Sequence, residues 1–397
     1  MKQVLNKSEQ NITHNLAPHF EAIKAFQSLQ DLQQSDLYRK LGPEIEHAIN
    51  GIAYRNTITN TPGDIVRVVA WNIERGLKLD GVIHLLKTHP GLSKADILLI
   101  TEADIGMGRT QNRDVPLELA NALNMNYVFA PCFLALEKGD IGEQDHDTPN
   151  ALALHGISIL SRFPIQSCQV VPLPMFKDVF NELEKRLGSR KGLICTMQLD
   201  NRTYDFAVTH LELATSASQR GKQMTTMINA LQQSDAEAQL LGGDFNTTTY
   251  NLRSKISLFG HLLYKAFWGI PRVVRHYMTP EKHFEKPLFD EIKKRNYDVN
   301  TYNDLTAGTL YYDINDKNIE AKIRQYRIPA FVLTYLRHKL KPWNGCVPLR
   351  LDWFVGKGCH VVHNATDIYS PPQVIDTPLY NDTPVSDHSP IVVDLIA

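Results

Sequence analysis

From Ile65 onward the chain alternates between short apolar runs and segments with turn or helix character. The runs Ile65–Asn72 (IVRVVAWN), Asp96–Thr101, Gly156–Leu160, Gly192–Leu199, Tyr204–Leu211, Gln239–Gly242, Leu351–Gly356 and Ser389–Ile396 are nearly continuous in apolar residues. That pattern predicts strands buried on both faces rather than strands with one wet side. Between them, Met224, Met227, Ile228 and Leu231 recur at the spacing of one helix face and predict a helix over 220–232. Residues 115–124 and 178–187 carry less regular versions of the same spacing.

The first 60 residues have another texture. They read as polar and helical, with Leu16, Phe20, Ile23, Phe26 and Leu29 as a buried stripe. Pro43 and Pro62 are expected to break that region. It is expected to be a helical N-terminal appendage packed on a domain spanning 64–397. Residues 250–345 form a third zone, rich in Lys, Arg, Tyr and Asn and poor in strand-like runs. This zone is expected to be an elaborated region near the site. Inside it His261–Tyr277 (HLLYKAFWGIPRVVRHY) mixes apolar and basic residues, and 262–275 is a candidate for peripheral membrane contact.

Composition narrows the function classes only a little. With 42 Lys and Arg against 43 Asp and Glu, the net charge is -1, so charge alone does not imply nucleic acid. The five cysteines are odd in number and include no C-x-x-C, which indicates neither a disulfide framework nor a cysteine zinc site. A reducing, cytoplasmic setting and a monomer are the expectations. The opening Met-Lys-Gln-Val-Leu lacks the apolar core of a signal peptide, and no run is long enough to span a bilayer.

Chemistry-bearing residues gather at the ends of the predicted strands. Asp244 and Asn246 follow Gln239–Gly242, two apart, where a turning chain can present both to one cleft. There a carboxylate can orient or deprotonate water while an amide holds a phosphoryl oxygen. Glu102 ends a second buried strand, where a carboxylate must be solvated, paired or bound to metal. Asn72 ends a third, and oxygen donors of this kind suit a hard cation such as Mg2+. Asp387 and His388 precede the last strand. Asp352 is a candidate carboxylate to orient His388, and His210 ends the strand beginning at Tyr204. Each of these positions alone reads as an ordinary strand-end polar residue.

Taken in chain order, the segments WNIERG (71–76), LLITEAD (98–104), GISILSRFPI (156–165), VTHLEL (208–213), GGDFNT (242–247), RLDWFV (350–355) and SDHSPIVVDL (386–395) resemble the endonuclease/exonuclease/phosphatase superfamily. The resemblance implies a four-layer α/β/β/α sandwich of the DNase I-like kind and a metal-dependent phosphoesterase. It implies Glu102 as the chief Mg2+ ligand (Mn2+ being the alternative), with Asn72 and Asp387 supporting the metal. Asp244 would then handle the water, Asn246 and His210 would contact the phosphate, and His388 would be held by Asp352. One departure concerns the Gly-Asn pair that many members carry before Ile-Leu-Ser-Arg. His155-Gly156 stands here instead, and Asn150 is the candidate to fill the missing role.

Arg75, Arg109, Arg113 and Arg162, in or beside these segments, are candidates to line the cleft and meet substrate phosphates. Arg220 and Trp353 read as structural. The leading expectation is hydrolysis of a phosphodiester by a nuclease-type enzyme. The alternatives are a phospholipid, phosphoinositide or sphingomyelin phosphohydrolase, or a non-catalytic binding module on the same fold.

Overall fold

The computed structural model describes residues 2–139, 143, 146–253, 255–315, 330–362 and 371–397. The predicted apolar runs are strands, and they pair into two large sheets. One holds six strands in the order Lys2–Val4, Ser167–Pro172, Lys191–Leu199, Arg202–Thr209, Ala238–Asp244 and Asp352–Lys357. The other runs Gln373–Val374, Ile391–Ile396, Ile65–Asn72, Ile97–Ile105, Leu154–Ser161, Asn126–Ala135, Ala53–Arg55 and Glu9–Gln10, with Arg186–Gly188 joined to Asn126–Ala135.

Period-two alternation along each strand sorts the side chains into layers. Val66, Val68 and Ala70 meet Leu193, Cys195, Phe206, Val208, Leu240 and Phe354 in the core between the sheets. Val69 and Trp71 face the other way, into a core shared with the helices Asp36–Asn50, Leu79–Thr88 and Val115–Leu123. On the far side Ile194, Ala207, Leu241 and Val355 pack against Met224, Met227 and Ile228 of Ala217–Gln232 and against Leu288 and Phe289 of Lys286–Lys294. The result is the expected four-layer α/β/β/α sandwich.

Several local expectations give way to tertiary forces. Pro43 lies inside the helix Asp36–Asn50 rather than ending it. The missing backbone hydrogen bond is offset by burial of Leu41, Ile45, Ala48 and Ile49 on one face. Of the predicted N-terminal stripe, Leu16, Phe20 and Ile23 are buried and Phe26 is half-buried, whereas Leu29 is exposed at the start of the short helix Leu29–Gln34. Residues 178–187 are not a helix. They turn and then enter the strand Arg186–Gly188, pairing with Phe133–Ala135. The strand Asn126–Ala135 escaped the apolar pattern because Pro131 interrupts it, and the ladder shifts register between Pro131 and Phe133.

The first 60 residues are sewn into the sandwich. Lys2–Val4 pairs with Ser167–Gln169 at the edge of one sheet, and Glu9–Gln10 and Ala53–Arg55 extend the other. Leu16→Ala or Ile23→Ala, at fully buried positions, should therefore lower the stability of the whole molecule by about 2–5 kcal/mol. Urea unfolding followed by fluorescence and by circular dichroism should still show one coincident transition. Two separate transitions would mean that this segment folds apart from the sandwich.

Candidate active site

The site assembles at one end of the sandwich because the strand ends of both sheets meet there. Ala238–Asp244 pairs antiparallel with Asp352–Lys357, and the register sets Asp244 directly opposite Asp352. Gly243 is required for the approach. Its φ is +133°, and a Cβ added there would stand 2.2 Å from the Thr209 carbonyl oxygen. In the other sheet the predicted strand Asp96–Thr101 continues to Ile105 through a register shift between Ile100 and Ala103. That irregularity gives Glu102 a left-handed φ of +55° and turns its side chain out of the strand alternation.

One atom is the meeting point. Asp244 Oδ2 lies 3.2 Å from Asn72 Nδ2, 3.2 Å from His210 Nε2 and 3.9 Å from His388 Nε2. Its other oxygen accepts the Asn246 backbone N–H at 2.8 Å. Burial opposes ionisation of Asp244, yet His210, His388 and that N–H hold its carboxyl below the usual range. His388 Nδ1 is 2.7 Å from Asp352 Oδ2. Burial pushes Asp352 up to about 6 against the pull of His388. Burial alone would lower His388, but Asp352, Asp387 and Asp244 hold it well above the ordinary imidazole range. His210 goes the other way, lowered by burial and by the nearby Arg190 guanidinium.

Asp244, His210, His388, Asp352 and Asn72 are thus brought together as the sequence suggested. Asn246 arrives beside them but gives its side-chain amide to the Leu211 carbonyl at 2.8 Å, with its own φ at +50°. Asn72 uses both ends of its amide, accepting the Glu74 N–H at 3.1 Å while donating to Asp244. In this geometry it positions Asp244. Asp387 is exposed at the rim.

A divalent cation fits on the Glu102 side. Burial opposes ionisation of Glu102, but Arg75 at 3.5 Å and His210 at 3.9 Å hold its carboxyl well below the usual range. Neither of these contacts is a close hydrogen bond, which leaves a half-buried anion of the kind a hard cation neutralises. Glu74, in the same neighbourhood, is pushed up to about 7 by burial and by Asp387. Asp244, Asp352 and His388 also offer ligand atoms within 4.8 Å of one another. A metal there would have to displace the proton shared between His388 and Asp352, so the Glu102 side is the better match.

Several sequence candidates are occupied elsewhere. Arg109 is buried and bonded to both oxygens of Asp104 and to Glu143 and Glu184. Arg113 is paired with Asp80 and Glu118, and Arg162 donates to the Ala95 carbonyl beside Asp96. Arg75 bridges Glu102 and Glu143. Asn150 accepts the Gly108 N–H and donates to the Ala135 and Glu137 carbonyls, so it staples loops instead of reaching the site. His155 is bonded to Asp104 at 2.8 Å. Arg220 and Trp353 are structural as read. Arg220 pairs with Glu285 at 2.5 Å, and the Trp353 indole donates to Thr247 at 3.0 Å.

Two residues were missed by sequence reasoning, Glu74 and Arg190. Arg190 immediately precedes Lys191–Leu199, whose Gly192 pairs with Thr209, so it lies alongside His210. Glu102 and Asp244 both act on its charge, and its guanidinium stacks over Phe133 with no carboxylate ion pair among the described residues. Its only signal in the sequence is a basic residue at a strand start.

The Endonuclease/Exonuclease/phosphatase family profile matches residues 69–388. The chain belongs to the endonuclease/exonuclease/phosphatase family. No curated protein matches it in sequence. Among solved structures, it is similar to an endonuclease/exonuclease/phosphatase from Beutenbergia cavernae DSM 12333, at 18% identity and a TM-score of 0.50, over 84% of this chain and 72% of that one. It is also similar to the human Nocturnin catalytic domain with bound sulfate, at 14% identity and a TM-score of 0.45, over 84% and 93%. A third is D. rerio TDP2 complexed with a single-strand DNA product, at 12% identity and a TM-score of 0.45, over 84% and 100%. At such identities the likeness is one of fold. Members of this family are typically phosphoester hydrolases and generally use divalent metals.

The loop that follows the site is fastened by the elaborated region. Thr249 is buried with φ at +62°, an unusual conformation for a β-branched residue. Glu285 accepts its N–H at 3.0 Å, and the buried Lys265 Nζ donates to its hydroxyl at 2.8 Å. Burial among Tyr250, Tyr277 and Phe284 pushes Lys265 down to about 6, with Glu285 only partly opposing. The unfolded chain binds that proton up to about pH 10. Between pH 6 and 10 the unfolded state therefore holds more protons, and stability should rise with pH in that window. Denaturant titrations of wild type and Lys265→Met across pH 6–10 should give a smaller rise in the variant. Equal slopes would mean that the lysine is charged in the folded protein.

Proposed function

We propose that this chain hydrolyses a phosphodiester by in-line attack of water, with Asp244 as the group that orients the water and takes its proton. The reading rests on one observation, the convergence of Asn72, His210 and His388 on Asp244 Oδ2. As the water oxygen bonds to phosphorus, its proton passes to Asp244 and the bond to the leaving oxygen breaks. His388, kept charged by Asp352, donates to a phosphoryl oxygen, and His210 and Arg190 flank the same group. Glu102 would hold the divalent cation, with Asp387 and Glu74 near it. When bound, the ion neutralises charge that builds on the phosphoryl and leaving oxygens.

The nuclease-type expectation drew on arginines near the motifs and on the resemblance to nucleases. With Arg109, Arg113 and Arg162 engaged by carboxylates and a carbonyl, phosphodiester chemistry is the reading that keeps its support.

Turnover of bis(p-nitrophenyl) phosphate with Mg2+ or Mn2+ should fall about 10²–10⁴-fold in Asp244→Asn while the circular dichroism spectrum is unchanged. Equal rates in the two proteins would remove Asp244 from the reaction, and no rate in either would leave a binding module. Thermal denaturation should show that Mg2+ raises the Tm of wild type and not of Glu102→Gln. An equal rise in both would place the ion elsewhere. Arg190→Ala should raise KM about tenfold with a smaller change in kcat. Arg190→Lys should recover part of the loss.

A further inference from the structure

The helices Lys255–Trp268 and Ile270–Met278 make a corner at Gly269 (φ +76°), and the corner sequence is Phe267-Trp268-Gly269-Ile270-Pro271. Phe267 is 90% exposed, and Ile256, eleven residues earlier on the same helix, is 86% exposed. At 100° per residue, eleven positions return to within about 20° of the same direction, so the two share one face. Gly260 and Tyr264, also exposed, lie close to that face. Leaving an apolar helix face in water costs free energy and signals an intended partner.

Charge identifies the partner. Between Asp244 and Glu281 there is no acidic residue, and there are four Lys and Arg besides the buried Lys265. Arg272 and Arg275 are exposed next to the corner, with the Arg272 guanidinium over the Trp268 ring at 5.3 Å. Leu340 packs with Val274, which brings the exposed Lys339 and Lys341 toward the same region. Aromatic and aliphatic tips rimmed by cations are the composition of an element that lies in the interface of an anionic bilayer. A nucleic acid backbone would use the cations but offers nothing to bury Ile256. Among the described residues no helix is long and apolar enough to cross a membrane, so the contact is peripheral.

The helix pair is also tied to the site at two points. Lys265 holds Thr249, three residues past Asn246, and the Tyr277 carbonyl accepts the Arg350 N–H at 3.3 Å, two residues before Asp352. Tyr250 and Tyr277 share a hydroxyl–hydroxyl hydrogen bond between these anchors. We infer that the Phe267–Pro271 corner docks on an anionic lipid surface and that the site beside it acts on a phosphodiester carried by that surface. The docking stands by itself, whereas the choice of substrate rests on the phosphodiesterase reading above.

The full chain should sediment with phosphatidylcholine vesicles containing phosphatidylserine and not with phosphatidylcholine alone, and added salt should weaken the binding. Phe267→Ser/Trp268→Ser should bind at least about tenfold more weakly. Arg272→Glu/Arg275→Glu should lose the preference for phosphatidylserine. Leu379→Ser, at an exposed position on another part of the surface, should bind as wild type does. Absence of binding by wild type, or equal binding by the double serine variant, overturns the docking. Duplex DNA captured by wild type and lost in the serine variant overturns it in favour of nucleic acid.

Activity on bis(p-nitrophenyl) phosphate should persist in the serine variant and fall about 10²–10⁴-fold in Asp244→Asn, which should still bind vesicles. Release of water-soluble phosphate ester from vesicles containing sphingomyelin or phosphoinositide, retained by wild type and reduced tenfold or more in the serine variant, supports the substrate assignment. Vesicle binding without such release overturns that assignment alone.

Discussion

A carboxylate at the bottom of a cleft survives as an anion only if the protein supplies donors to replace water, and Asp244 depends on that condition. Its hydrogen-bonding and charged partners come from three different strand ends and one backbone turn. Asn72 and His388 belong to one sheet, His210 and Asn246 to the other. Separating the sheets would strand a buried charge, so the inter-sheet core of Val68, Leu99, Phe206 and Leu240 also sets the electrostatics of the site. The opposite shifts of the two histidines follow from the same arrangement. His388 is raised by the three carboxylates around it, while His210 is lowered by burial and by the Arg190 cation beside it.

A second layer of charge surrounds this centre. Asp104, Arg109, Glu143 and Glu184 form a buried network joined to Arg75 and so to Glu102. Such networks contribute little net stability, because desolvation offsets much of the attraction, but they fix where each group can sit. Here the network holds Arg75 near Glu102. It also explains why arginines that look available in the sequence are spent on internal carboxylates.

How far the sequence could be read depended on the range of the forces involved. Strands such as Ile65–Asn72 and Lys191–Leu199 were legible because continuous burial writes itself into every residue. The helix Ala217–Gln232 was legible from one apolar face. Asp244, His388, Asp352 and His210 were legible because strand ends are where a sandwich gathers its chemistry. Pro43 and the segment 178–187 misled local rules, since burial of one helix face and pairing with Phe133–Ala135 decide them. Glu74 gave no local signal, and Arg190 only that of a basic residue at a strand start. Their positions follow from the turn after Asn72 and from strand order, which no short window contains.

The strand Ile391–Ile396 lies beside Ile65–Asn72, although more than three hundred residues separate them in sequence. His388 is delivered by that strand, and it is the residue that completes the surroundings of Asp244. During synthesis the ribosome must release everything up to Ile396 before this pairing can occur, and the long closure slows it further. The surroundings of Asp244 therefore stay one part short until the strand Ile391–Ile396 docks against Ile65–Asn72.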